Sequence, residues 1–226
     1  MLRDIKGAIF DMDGTLIDSM WVWNKIDVDF LKERNIELPP DLMETIEYMD
    51  FDDIAKYFKK RFNLKDSTDE IENRWNEMAY YEYAHNVQLK PYVKEYLSML
   101  KSHGIKIGLA TSNSILLLET VLKKHNIYKF FDTITTTIEA GKDKNSPDVY
   151  LLCAKKMNIA PCNCIVFEDI LPAVISAKSG GMMVAGVAEP YSTPHWTQIK
   201  EISDLSIKSY HELLIDNKNY CANSNI

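Results

Sequence analysis

The chain has no excess of basic residues: 26 Lys and Arg stand against 33 Asp and Glu in 226 residues, a formal charge of −7. The basic residues are scattered and never gather into one run, which argues against a nucleic-acid surface or an anionic membrane as partner. Long apolar runs are missing too. None approaches the roughly 20 residues that cross a bilayer, and Met1-Leu2-Arg3-Asp4 opens no signal peptide. A cytoplasmic protein is the expectation. Cysteine is sparse: Cys153, Cys162, Cys164 and Cys221. Cys162 and Cys164 lack the second pair or the histidines that a zinc site requires. Cys153 reads as core filler on a helix and Cys164 as part of a strand, and in a reducing compartment neither needs a bridge.

What the chain does have is carboxylates at the ends of apolar runs. Ile5-Lys6-Gly7-Ala8-Ile9-Phe10 stops abruptly at Asp11-Met12-Asp13-Gly14-Thr15. An apolar run of this length, bounded by turn residues, fits a strand buried on both faces of a parallel sheet. Asp11 and Asp13 then stand at its carboxyl end, where open α/β sheets hold their ligands. Two like charges so close require a cation between them or a retained proton. Three readings compete: a simple Asp/Gly turn; a calcium loop, which wants another acidic ligand and a preceding helix; and a phosphoryl-transfer site with Asp11 as nucleophile beside a divalent cation.

From Leu16 to about Val87 the apolar residues recur at helical spacing, without strand-like alternation. Helices are expected from Ser19-Met20-Trp21 to Asn35, after Pro39-Pro40, from Ile54 to Phe62 with Asp50 or Asp52 as cap, and from Ser67 through Tyr81. Tyr80, Tyr81 and Tyr83 read as packing within this block. After Pro91 strands and helices alternate. Strands are expected at Ile105–Ala110, Thr133–Thr137, Cys164–Phe167, Met182–Val187 and, at an edge, Leu205–Ile207. This is an α/β chain: a Rossmann-like parallel sheet with helices on both faces, built from residues 1–15 and 91–226, and interrupted by an α-helical insertion over residues 16–90. The insertion follows the first strand, at the rim holding Asp11 and Asp13, and is suited to closing over a substrate. The polar tail after Ile215 is expected to fray.

Three strands end in polar groups: Asp11 and Asp13, then Thr111-Ser112-Asn113, then Glu168-Asp169. In a parallel sheet those ends share one rim. Lys144, in the loop from Gly141 to Asp148, is placed to join them; Lys142 is a rival that reads as solvated. Four carboxylates in one place call for a hard cation with oxygen ligands, and Mg²⁺ is usual when phosphate is the partner. A phosphoryl group in flight is neutralised by a metal, a lysine and hydroxyl or N–H donors. Asp11 can attack phosphorus, and Asp13 can protonate the leaving oxygen and then deprotonate water.

With these motifs in order, the chain resembles the haloacid dehalogenase superfamily, in the branch with a helical cap after the first motif. Asp11-Met12-Asp13-Gly14-Thr15 matches the first signature, Thr111-Ser112-Asn113 the second, Lys144 with Pro147-Asp148 the third and Glu168-Asp169 the fourth. The resemblance implies Asp11 as nucleophile, Asp13 as general acid/base, and Mg²⁺ on Asp11, Asp13 (through its main-chain carbonyl), Glu168 and Asp169. It further implies a phosphate site at Thr111, Ser112, Asn113 and Lys144. Departures are Asn145 after the motif lysine and Ile170-Leu171-Pro172-Ala173 where small residues are usual.

Substrate choice is expected in the cap, at Trp21, Trp23, Asn24 and Phe51. Sugar-phosphate mutases of this branch carry a cap-loop arginine and a histidine about ten residues after the second aspartate. Here those stretches read Tyr48-Met49-Asp50-Phe51-Asp52 and Trp23. The expectation is therefore a Mg²⁺-dependent phosphatase of a small phosphorylated metabolite, as a monomer or weak homo-oligomer. A β-phosphoglucomutase-like mutase comes second and a non-catalytic binding protein third. True dehalogenases lack the second aspartate, so Asp13 argues against that chemistry.

Overall fold

A computed structural model describes residues 4–46, 49 and 51–215; Tyr48 and Asp50 of the cap loop, Cys221 and the tail after Ile215 lie outside these. In chain order the elements are β1 (Gly7–Phe10), β2 (Ile17–Asp18), α1 (Trp21–Lys32), α2 (Leu42–Ile46), α3 (Phe51–Arg61), α4 (Thr68–His85), β3 (Gln88–Leu89), α5 (Val93–Ser102), β4 (Lys106–Thr111), α6 (Ile115–Lys124), β5 (Thr133–Thr136), α7 (Thr137–Ala140), α8 (Asp148–Met157), β6 (Cys164–Glu168), α9 (Leu171–Ser179), β7 (Met183–Val187), α10 (Trp196–Ile202) and β8 (Leu205–Ile207). They form two compact units, Met1–Ser19 with Gln88–Ile226, and Met20–Val87.

The first unit is a six-stranded sheet in the order β5-β4-β1-β6-β7-β8, every pairing parallel. The chain steps from β1 to one side for β4 and β5, then crosses back to β6 on the other. That reversal puts the ligand crevice of such sheets at the carboxyl ends of β4, β1 and β6. Every residue of β1 is buried, because helices cover both faces. Ile9 and its register partner Val166 turn toward a core containing Val149, Tyr150, Cys153, Val174 and Ile199 of α8, α9 and α10. Phe10 and its partner Phe167 turn the other way and stack at 4.5 Å, with Tyr96 of α5 and Tyr210 closing the cluster. Alternation with period two sets this division. Cys153 and Cys164 are buried as core side chains, and Cys162 is exposed.

Four of the described helices stop at an asparagine. Asn35, Asn63, Asn126 and Asn158 follow α1, α3, α6 and α8 with φ between 48° and 57°, a left-handed stop that asparagine tolerates better than most residues.

Among the described residues the second unit has four helices, α1 to α4, around Phe30, Phe58 and Trp75, whose rings meet edge to face at 5.0–6.1 Å. Ser67 and Glu70 form the reciprocal capping box that starts α4. Three expectations are corrected. The third helix begins at Phe51, three residues before Ile54, so Asp52 lies in its first turn and is not its cap. Tyr80 and Tyr81 are exposed and only Tyr83 is buried, since α4 turns Ile71, Trp75, Ala79, Glu82 and Tyr83 inward and the other two fall outside that stripe. The stretch from Leu16 is not free of strand: β2 pairs antiparallel with β3, Ile17 opposite Leu89 and Asp18 opposite Gln88. Two-residue strands are too short to show alternation. This ribbon belongs to the sheet-bearing unit, so the units divide at 19/20 and 87/88, inside the limits that composition marks. The short helix α7 and α10, which follows a 3-10 turn over Pro190–His195, carry no sequence signal of their own; two prolines hide the approach to α10.

Candidate active site

The site starts from register. Phe10 is level with Phe167 and Leu109, so the next residue, Asp11, emerges beside Glu168 at the end of β6. The Asp11 N–H donates to the Phe167 carbonyl at 3.0 Å and holds that end in place. The chain then turns sharply: the N–H groups of Leu16 and Ile17 both donate to the Met12 carbonyl, at 2.8 and 3.0 Å. Gly14 sits in this turn with φ +82°, and a Cβ there would lie 2.3 Å from Asp169 Oδ2. Any side chain would meet both a disfavoured backbone conformation and the Asp169 carboxylate, so glycine is required twice over.

Lys144 arrives from the loop before α8, buried, and its amine donates to Asp11 Oδ1 and, at 2.6 Å, to Glu168 Oε1. The Tyr150 hydroxyl, from the first turn of α8, donates to the same Glu168 oxygen at 2.6 Å. The Asp169 N–H donates to the other Glu168 oxygen at 3.2 Å. Thr15 donates to Asp169 Oδ1 at 2.9 Å. Asp169 Oδ2 is buried and has no hydrogen-bond partner among the described residues.

Asp13 points elsewhere. Its carboxylate accepts from Ser19 Oγ at 2.7 Å and from Asn113 Nδ2 at 2.9 Å. Thr111 is buried at the end of β4 and its hydroxyl accepts the Asn113 N–H at 3.0 Å, while Ser112 is exposed in the same turn. Lys142 is exposed and faces Asp148 at 3.7 Å. Asn145 takes a turn role, bonding Asp143 through both its N–H and its amide, and Pro172 sits in the first turn of α9. Trp23 belongs to the helical unit, where it packs edge-on against Phe51 at 5.6 Å.

One unit thus brings together Asp11, Asp13, Thr111, Ser112, Asn113, Lys144, Glu168 and Asp169; Trp23 is not among the side chains that it gathers. Sequence reading missed Thr15, Ser19 and Tyr150 as supports. Their spacing, two and six residues after Asp13 or Lys144, is visible only once the turn and α8 are placed.

The electrostatics follow from burial. Burial pushes the Asp11 carboxyl well above the ordinary range; Lys144 opposes that, and Glu168, Asp169 and Asp13 reinforce it. Burial likewise lifts Asp169 to about 7, with Glu168 adding to the shift and Thr15 and Lys144 opposing it. Burial works against charge on Lys144, but Asp11 and Glu168 outweigh it and hold the amine protonated.

Carboxylate oxygens of Asp11, Glu168 and Asp169 lie within 4.8 Å of one another. One lysine offsets three potential negative charges, all the donors are hard oxygens, and one of these oxygens is buried without a partner. A divalent cation of the Mg²⁺ or Ca²⁺ type fits that set.

Metal binding must displace the proton that Asp169 retains up to about pH 7. The folded, metal-free protein holds this extra proton between the ordinary carboxylate range and about 7, so the contribution of Asp169 to stability falls as pH rises through that window. Metal replaces the lost contribution. We expect the rise in Tm caused by saturating Mg²⁺ over EDTA to be small near pH 5 and several degrees larger near pH 8. A rise independent of pH would contradict the buried, protonated cluster.

The family description "haloacid dehalogenase-like hydrolase" matches residues 5–181. Hexitol phosphatase B of Escherichia coli (strain K12) is 28% identical over 219 residues, covering 93% of this chain and 95% of that protein. Beta-phosphoglucomutase of Bacillus subtilis (strain 168) is 27% identical, covering 92% and 95%. Among solved structures, CbbY from Rhodobacter sphaeroides in complex with phosphate superposes with a TM-score of 0.74 at 20% identity, over 92% of this chain and 96% of that one, a likeness of fold.

Proposed function

The chain belongs to the haloacid dehalogenase-like hydrolases, and from that membership we propose that it is a Mg²⁺-dependent phosphatase of a small phosphorylated metabolite, of the hexose or hexitol phosphate kind. The observation that carries this reading is the division of labour between the two aspartates. Asp11 lies in the buried cluster with Lys144 and Asp169, while Asp13, two residues on, is held apart by Ser19 and Asn113.

Asp11 attacks phosphorus and forms an aspartyl phosphate, and Asp13 delivers its proton to the departing oxygen. Asp13 then takes a proton from the water that attacks the acyl phosphate, which frees inorganic phosphate and regenerates Asp11. Lys144 and the Thr111, Ser112 and Asn113 turn hold the phosphoryl oxygens. Asp11, Asp169 and the main-chain carbonyl of Asp13 would hold Mg²⁺, which when bound neutralises charge on the transferring group. The full-length likeness to hexitol phosphatase B supports a sugar-like substrate.

The equally extended likeness to a β-phosphoglucomutase supports a second reading, a mutase. With Mg²⁺ present, we expect stoichiometric phosphate release from hexitol and hexose phosphates in a panel that also holds phosphoglycolate and nucleotides. Isomerised sugar phosphate from β-glucose 1-phosphate primed with a trace of bisphosphate, without phosphate release, would favour the mutase.

A further inference from the structure

Glu168 is the most heavily bonded carboxylate of the cluster. Its Oε1 accepts from Lys144 and from Tyr150, each at 2.6 Å, and its Oε2 accepts the Asp169 N–H at 3.2 Å. Tyr150 itself is wholly buried on α8, six residues after Lys144, and its ring lies 5.9 Å from the lysine amine. Buried phenols are placed where the hydroxyl has a use. This one meets a carboxylate already paired with a lysine, so the ion pair alone does not account for it.

Resting on the reading of this cluster as a cation site, we infer that Tyr150 is a positioning residue that withholds Glu168 from the metal and so sets which cation the site prefers. A carboxylate oxygen within 4.8 Å of those of Asp11 and Asp169 is close enough to join them on an ion unless something else occupies it. Lys144 and Tyr150 hold Oε1 of that carboxylate, and the Asp169 N–H holds its Oε2. The site therefore offers a cation two side-chain carboxylates, Asp11 and Asp169. Mg²⁺ suits that offer, because it keeps several waters and tolerates few protein ligands; Ca²⁺ takes six to eight oxygens and gains most from an added carboxylate. Without the phenol, Glu168 Oε1 keeps a single donor and can turn toward the ion.

The test is calorimetric titration of the substrate-free protein with MgCl₂ and with CaCl₂. Tyr150→Phe should raise the ratio of Ca²⁺ to Mg²⁺ affinity by about tenfold, the worth of one hydrogen bond to a charged group. In Tyr150→Phe/Glu168→Gln the gain should vanish, because an amide is a poorer ligand. Glu168→Gln alone should leave the ratio within about twofold of the native value, which keeps the inference open to refutation even if Tyr150→Phe fails to fold. An unchanged ratio in a folded Tyr150→Phe protein, or a collapse of Ca²⁺ and Mg²⁺ binding in Glu168→Gln alone, would overturn it. These titrations need no turnover, so a protein that hydrolyses none of the phosphate esters but shifts its ratio would refute the phosphatase and retain the role of Tyr150.

Discussion

Replacing Asp11 by asparagine should stop phosphate release, lowering turnover by about 10³-fold or more, as loss of a covalent nucleophile does elsewhere. The amide matches the carboxylate in shape and can still accept from Lys144, so the site's architecture survives while the attacking oxygen is lost. Stability should move the other way or not at all. Asp11 is a buried carboxyl held above its ordinary range by desolvation and by three acidic neighbours, and making it neutral removes that repulsion. The expected pair of results is an inactive protein with an undiminished Tm in EDTA. Phosphate release within about tenfold of the native rate would dispose of Asp11 as nucleophile, and indifference of the native protein to every phosphate ester would leave a binding protein on the same fold.

Lys144→Met should do the opposite to stability. Asp11 and Glu168 side chains are 8% and 0% exposed, and Lys144 is the cation that pairs with both. Breaking a buried ion pair by removing one partner strands the other, at a cost of about 3–5 kcal/mol. Because protonation can neutralise what the lysine no longer offsets, the loss should shrink as pH falls from about 8 to about 5. Urea midpoints of the two proteins across that range measure it, and added Mg²⁺ should restore part of the deficit. A difference below about 1 kcal/mol at the upper pH would mean that the lysine's charge is not what holds the carboxylates together.

The sheet was legible because its strands are continuous apolar runs that end in chemistry. Gly7–Phe10, Lys106–Thr111 and Cys164–Glu168 are each bounded by residues that cannot continue a buried strand, and parallel register then brings Asp11, Thr111 and Glu168 to one rim. What could not be read were contacts that depend on rotation rather than order. Asp13 stands two residues from Asp11 yet its carboxylate turns to Ser19 and Asn113, because the Gly14 turn reverses the chain just after it and brings Ser19 alongside. Tyr150 looks like any buried aromatic on an amphipathic helix until α8 is docked and its hydroxyl meets Glu168. The β2 and β3 ribbon is hidden for another reason: pairing partners seventy residues apart leave no local pattern.

That ribbon has a bearing on how such a chain can vary. Ile17 and Asp18 lie directly against Leu89 and Gln88, so the sequence departs from the sheet-bearing unit and rejoins it across a single strand spacing, about 4.8 Å. Ends clasped this closely have already met the entropy of closing a loop, which grows only slowly with its length. The intervening segment can then be lengthened, shortened or exchanged for an unrelated one with little strain on the six-stranded scaffold, while the carboxylates at the sheet's rim keep their register.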